Sequence, residues 1–258
     1  MERDHETMVI RTLCDLHTEQ NGLDEPLRCV REVTEPPCDV LVLAGDIATH
    51  ENLEDFVAVA AEASVRVRRG VVIVLGNHDC YGTTIDNAAK QAKRAVAKLS
   101  NVFVLHRDTV TLGGVRFLGC TLWSRPSPKV GSDFADFRAI LTEDGAFATA
   151  DDLAIAHATD LHWLRRSLAN CHESCVVVTH HPPSLACLPS KCRRSSLASA
   201  FASECGILGN ARLTRKVRTW VIGHSHQSID TTMFGVRMIG NPLGYYWETL
   251  RPTKHHRI

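Results

Sequence analysis

This chain has no apolar run long enough to span a bilayer, no excess charge of either sign, no internal repeat and no low-complexity tract or evident linker. The first absence argues against a membrane span. Lysine plus arginine and aspartate plus glutamate stand at 29 each, so no overall field draws in nucleic acid or an anionic membrane. A protein that tracks duplex DNA would need a basic face. Any anionic ligand must therefore be caught locally, for instance by metal ions. The N-terminal "MERDHETMVI" has no apolar core of a secretory leader, so a cytoplasmic location is expected. The ten cysteines show no common zinc-finger spacing, even at Cys171/Cys175 and Cys187/Cys192. They read as small buried hydrophobes. At 258 residues, 44% hydrophobic and 22% charged, the chain has ample material for a core and reads as a single domain, 1–258.

What is present alternates regularly. Short apolar runs ("MVIRTL", "DVLVLAG", "VVIVLG", "NVFVL", "VRFLGCTLW", "CVVVTH", "TWVIGH", "VRMIGN") are separated by stretches of helical period. Several are continuous Val/Ile/Leu runs, as in strands covered on both faces. Helices are expected over 52–69, with Phe56, Val59, Ala60, Ala63 and Val67 as its stripe, over 84–99, and over 151–169 with Thr149 as N-cap. "TLGGVRF" predicts a hairpin at Gly113-Gly114, so the fold class is α/β with mixed sheets. The stretch 125–147 has weak periodicity and reads as a long excursion.

Polar residues gather at one place in this pattern, immediately after strands: "CDLH" with Asp15 and His17, "AGD" with Asp46, "GNHD" with Asn77, His78 and Asp79, "THHPP" with His180 and His181, and "GHSH" with His224 and His226. Alone, "GNHD" is either a polar turn or a site. Desolvating three such side chains is costly without partners. Open α/β sheets collect ligand sites beyond the carboxyl ends of strands, so five clusters placed there converge on one crevice. Residues two apart in extended chain point the same way, which lets Asp15 and His17, or His224 and His226, address one ion. Carboxylate, imidazole and amide donors without thiolate favour manganese, iron or zinc. They are too many for one tetrahedral ion, and a two-metal site sharing a carboxylate accommodates them.

The ordered set "DLH", "GD", "GNHD", "THHPP" and "GHSH" resembles the calcineurin-like metallophosphoesterase superfamily from about residue 9 to about residue 245. "TLWS", "DFRAI" and "NPLGYYWE" resemble its small bacterial-type subgroup more loosely. The resemblance implies two mixed β-sheets packed as a sandwich between helices. It assigns Asp15, His17, Asp46 and His226 to a first divalent metal, and Asp46, Asn77, His180 and His224 to a second. The implied reaction is hydrolysis of a phosphomonoester or phosphodiester, in which a metal-bridged hydroxide attacks phosphorus in line. His78 would then serve as the acid for the leaving oxygen, with Asp79 orienting it. Cys14 stands where relatives usually carry a small hydroxyl residue and is not expected to ligate. Candidate substrate or supporting contacts are His50, His181, Asp136 and Arg138. The excursion and the loop after "THHPP" are expected to shape the pocket for a small phosphorylated metabolite or nucleotide. A phosphoprotein (Ser/Thr) phosphatase is the alternative, and a non-catalytic metal-binding scaffold would be expected to lack ligands that are all present here. A helical His-Asp phosphohydrolase is excluded because His78-Asp79 follows a strand.

Overall fold

The computed structural model describes residues 8–248 and Pro252; the terminal "KHHRI", read as a frayed tail, lies outside the described residues. Ten strands are described: β1 Ile10–Leu13, β2 Cys38–Ala44, β3 Val67–Val74, β4 Val102–Val104, β5 Asp108–Leu112, β6 Val115–Cys120, β7 Cys175–Thr179, β8 Val217–Ile222, β9 Ile229–Met233 and β10 Val236–Gly240. The helices are α1 Thr18–Asn21, α2 Asp24–Val33, α3 Leu53–Ser64, α4 Ile85–Ala95, α5 Asp136–Ala139, α6 Ala150–Ala169, α7 Ala198–Phe201 and α8 Ala211–Thr214. No helix of the described residues is long and apolar enough to cross a membrane.

The strands form two sheets, β1-β2-β3-β4 and β5-β6-β7-β8-β10-β9. The first is parallel throughout; the second is parallel at its centre and carries an antiparallel strand at each edge. This packing explains why "CDVLVLA" is apolar without a break. Val40, Val42 and Ala44 join Val72, Val74, Phe117, Val176, Val178 and Val221 in the layer between the sheets. The alternate residues Leu41 and Leu43 join Val71 and Ile73 under α2, α3 and α4. On the far side, Leu118, Val177, Trp220 and Ile222 pack under Leu164 and Leu168 of α6. Each central strand thus buries both faces, and period-two alternation disappears from the sequence.

The expected sandwich is observed, and of its two sheets the six-stranded one is mixed as expected while the four-stranded one is wholly parallel. The Gly113-Gly114 hairpin joins β5 to β6 with φ of 56° and 81°, the doubly left-handed pattern of a tight type I′ turn. A second hairpin of the same kind, β9–β10, turns at Phe234-Gly235 and was not read from the sequence. Neither was α2. The helix read as 52–69 ends at Ser64, because Val67 belongs to β3 and pairs with Cys38. Residues 84–99 are helical over Ile85–Ala95, and Thr149 caps α6 in a reciprocal box with Asp152.

Asp160 of α6 is fully buried and ties the helix to the second sheet. It accepts hydrogen bonds from Arg107 Nη1 at 2.9 Å and the Leu122 N–H at 2.8 Å. Removing it leaves Arg107 with Asp86 as its remaining carboxylate partner and the buried Leu122 amide without an acceptor. Asp160→Ala should lower unfolding stability by about 3 kcal/mol in urea titration. A midpoint unchanged from wild type would show that this tie contributes nothing.

Candidate active site

The carboxyl ends of β1, β2, β3, β7 and β8 face one another, and the loops leaving them are stitched together by backbone bonds. Asp15 N–H donates to Gly45 O and His17 N–H to Asp46 O, each at 3.0 Å, while Gly223 N–H donates to His180 O at 2.9 Å. Two glycines make this closeness possible. A Cβ on Gly76 would fall 2.7 Å from both the Asp46 amide nitrogen and His180 Cε1, and one on Gly45 would fall 2.7 Å from the Gly76 nitrogen. The backbone around the site is also unusual. Asp15, His17, Asp46, His224 and His226 have φ of 55°, 46°, 55°, 64° and 46°, in the left-handed region. Such conformations cost on the order of 1 kcal/mol each and persist only where the surroundings enforce them.

These loops bring together every residue assigned to metals by sequence. Asp15, His17 and His226 offer donor atoms within 4.8 Å of one another, as do Asp46, His180 and His224, and also His17, Asp46 and His78. The orientation of the donors is more telling than their proximity. His17 Nδ1 is 2.9 Å from Glu19 Oε1, and His226 Nδ1 is 2.6 Å from Glu248 Oε2. In the neutral tautomers that these carboxylates select, the proton sits on Nδ1 and Nε2 carries a bare lone pair. The two Nε2 atoms nevertheless face each other at 3.0 Å. His180 Nδ1 is likewise engaged by Ala44 O at 2.8 Å, which turns its Nε2 toward Asn77 Oδ1 at 3.1 Å and Asp46 Oδ2 at 3.3 Å. Asn77 spends its own N–H groups on Asp136 Oδ1 at 2.8 Å and the Tyr81 hydroxyl at 3.1 Å, so its oxygen faces inward. Asp15 Oδ2 and His224 Nε2 are buried without a hydrogen-bond partner.

The electrostatics follow from this crowding. Burial alone would raise the Asp46 pKa, but the rings of His180, His78 and His17 hold its carboxyl well below the ordinary range. Burial lowers the His180 pKa, yet Asp46 outweighs it and drives the ring up to about 9. Burial pushes His224 and His181 well below the usual imidazole value. It also pushes the Cys14 thiol, next to Asp15, well above its own, which keeps sulfur neutral beside the donors.

The sequence reading needs correction at Asp79. Its carboxylate does not meet the His78 ring. It accepts the N–H groups of Gly76, Asp46, Ile47 and Ala48 at 2.7–3.2 Å, clamping the loop that carries Asp46. Burial and the Asp46 charge push its pKa up to about 7. The partner of His78 Nδ1 is Glu19 Oε1 at 2.9 Å, while the Tyr245 hydroxyl lies 3.3 Å from Nε2. Burial would raise the Glu19 pKa, but His17 and His78, which share its oxygen, hold it down to about 2. Asp136 is fully buried behind Asn77 and fixes its amide. His181 lies behind His224, ring centroids 4.0 Å apart, and packs on Trp123. His50 borders a separate recess beside Leu75 and Asp79, and the exposed Arg138 pairs with Asp133 outside the cleft. Glu19, Glu248 and Tyr245 were missed by sequence reasoning. The signals were an acid two residues beyond His17 and the segment "NPLGYYWE", which holds Tyr245 and Glu248.

The donors open into a cleft of about 340 Å³, lined by Asn77, His78, Phe134, Phe201, His224 and Tyr245 among others. The sequence profile of calcineurin-like phosphoesterases matches residues 8–228. The chain belongs to the calcineurin-like phosphoesterase family. Of the curated proteins, uncharacterized protein L509 of Acanthamoeba polyphaga mimivirus is 23% identical over 266 residues, covering 93% of this chain and 92% of that one. Among solved structures, the phosphopantetheinyl hydrolase of Mycobacterium tuberculosis superposes with a TM-score of 0.64 at 18% identity, over 97% of both chains. TT1561 of Thermus thermophilus superposes with a TM-score of 0.55 at 13% identity, over 92% of this chain and 89% of that one. This phosphoesterase has the nitrogen and oxygen donors, free of thiolate, that divalent metals of such a family take, and the unpartnered Asp15 and His224 atoms fit that use.

Glu19 ties the His17 ring, a candidate ligand, to the partly exposed His78, so its loss should be felt at both. Glu19→Ala should lower activity or manganese affinity about 10- to 100-fold, and Glu19→Gln, which keeps an acceptor oxygen, should cost less. Wild-type kinetics and metal affinity in Glu19→Ala would show that the carboxylate orients neither ring.

Proposed function

We propose that this phosphoesterase hydrolyses a phosphomonoester or phosphodiester of a small molecule at a site for two divalent ions, manganese foremost. The observation that carries the reading is the pair of imidazole Nε2 atoms opposed at 3.0 Å, each ring held by a carboxylate on its other nitrogen. Asp15, His17, Asp46 and His226 would hold one ion, and Asp46, Asn77, His180 and His224 the other. Divalent ions there would supply positive charge for the phosphoryl oxygens and activate water at neutral pH.

The chain's own residues do the rest. Glu19 holds His78 through Nδ1 and leaves its Nε2 edge, beside Tyr245, for the leaving oxygen. His78 delivers the proton that the departing alkoxide needs. Asp79 has a positioning role, since its four amide contacts hold Asp46 in place. Phe134 and Phe201 narrow the cleft and keep bulk water from the leaving group. They come from the 125–147 excursion and from the segment after "THHPP", the two loops that sequence named as pocket-shaping. The name of the Mycobacterium tuberculosis hydrolase puts a phosphopantetheinyl ester among the substrates to assay. Ten free cysteines, nine of them buried, suit a reducing cytoplasmic setting.

Hydrolysis of nitrophenyl phosphate esters should vanish on chelation and return with manganese. His78→Ala should keep its metal content by elemental analysis yet lose about 10²–10⁴-fold in kcat. Loss of metal from that variant would make His78 a ligand, in the grouping it forms with His17 and Asp46, and would overturn its role as acid.

A further inference from the structure

Beyond the phosphoryl site lies a second hollow that no motif announced. It encloses about 220 Å³ and is lined by Leu188, Pro189, Cys192, Leu197, Ala198 and Phe201, with serines at 195 and 225. Phe201 and Ser225 border both this hollow and the cleft, so the two adjoin. The Phe201 ring lies 5.0 Å from that of His224, which sets the junction against one of the candidate ligands. The wall is built rather than incidental. Leu188, Ala198 and Ala202 form a small core of their own, with Leu185 and Phe201 packed against it.

The charge distribution narrows what this annex takes. Among the described residues no charged side chain lines it, and no lysine or arginine lines the cleft either, where the acids are Asp46, Asp136 and Glu248. Of the three exposed cations beside Cys192 in sequence, Lys191, Arg193 and Arg194, none lines the annex, and Arg193 is turned away, donating Nε to Leu188 O at 2.9 Å and Nη2 to Ala186 O at 2.8 Å. A second phosphate reaching the annex would therefore meet an apolar wall with no cation among its lining residues. An uncharged carbon chain would instead cover the apolar wall and gain from leaving water.

We propose that the annex is the leaving-group site and selects phosphoesters whose alcohol bears an uncharged, apolar arm several carbons long, over nucleoside diphosphates and acidic phosphopeptides. This rests on the phosphoesterase reading of the adjoining cleft. The occupant follows from adjacency: an ester bound with its phosphoryl group among the candidate ligands would reach the annex by way of Phe201 and Ser225, which border both hollows.

The test uses the manganese-loaded chain and n-alkylphosphonates from methyl to hexyl, which resist hydrolysis. Calorimetric affinity should rise about two- to fourfold per methylene, and Leu197→Asp, a change at an exposed position, should flatten that slope without altering metal content. A second readout is independent of turnover. Cys192 is the one cysteine that is not buried, so alkylation by iodoacetamide reports on the annex directly. Saturating hexylphosphonate should slow it at least fivefold and methylphosphonate should not. Equal affinities along the series, tighter binding of adenosine diphosphate than of hexylphosphonate, or undiminished Cys192 alkylation would overturn the inference while hydrolysis of nitrophenyl esters continued. If methylphosphonate failed to bind and no ester were hydrolysed, the phosphoryl site and the annex would fall together.

Discussion

The buried carboxylate of Asp46 is the constraint around which the other parts of the site are arranged. It has almost no contact with solvent, lies 3.3 Å from one imidazole nitrogen and 3.7 Å from another, and accepts the His78 N–H at 2.8 Å. A charge so placed must be compensated, because its desolvation would otherwise cost several kcal/mol. The protein offsets it with the neighbouring rings of His180, His78 and His17. The left-handed backbone at Asp15, Asp46, His17, His224 and His226, and the glycines at 45 and 76, are what allow five loops to approach closely enough. Local strain of this kind is retained only where the surrounding structure enforces it.

Outer contacts convert a cluster into an oriented site. Glu19, Glu248 and the Ala44 carbonyl each take one ring nitrogen of a histidine, while Asp136 and Tyr81 take the amide hydrogens of Asn77. The consequence is orientation: each ring turns its other nitrogen, and Asn77 its oxygen, toward the centre. Asp79 does the same for the main chain by collecting four amides, among them those of Asp46 and its neighbour Ile47. These are small individual bonds, each contributing about 1 kcal/mol or somewhat more when charged, but together they fix geometry.

Much of this was legible in the sequence, for identifiable reasons. The central strands announced themselves because each buries two faces, so "DVLVLAG" and "VVIVLG" carry no polar interruption until the chain reaches the site. The five polar clusters were visible because strand ends are where such residues must find a use. What was not legible depends on contacts between segments far apart. Glu248 reaches His226 from 22 positions away, and Asp136 reaches Asn77 from 59. Asp79 was paired with His78 because they are neighbours in sequence, but the short helical turn His78–Cys80 sends the two side chains in different directions. Edge strand β9 escaped notice because its exposed "IDTTM" lacks the apolar content of the buried strands.

The most direct test of this account is anomalous scattering from crystals of the manganese-loaded chain, collected near the manganese edge. Two peaks per chain about 3.5–4 Å apart, with the Asp46 carboxylate between them, are the predicted result. A single ion, or ions bound away from Asp46, would contradict it.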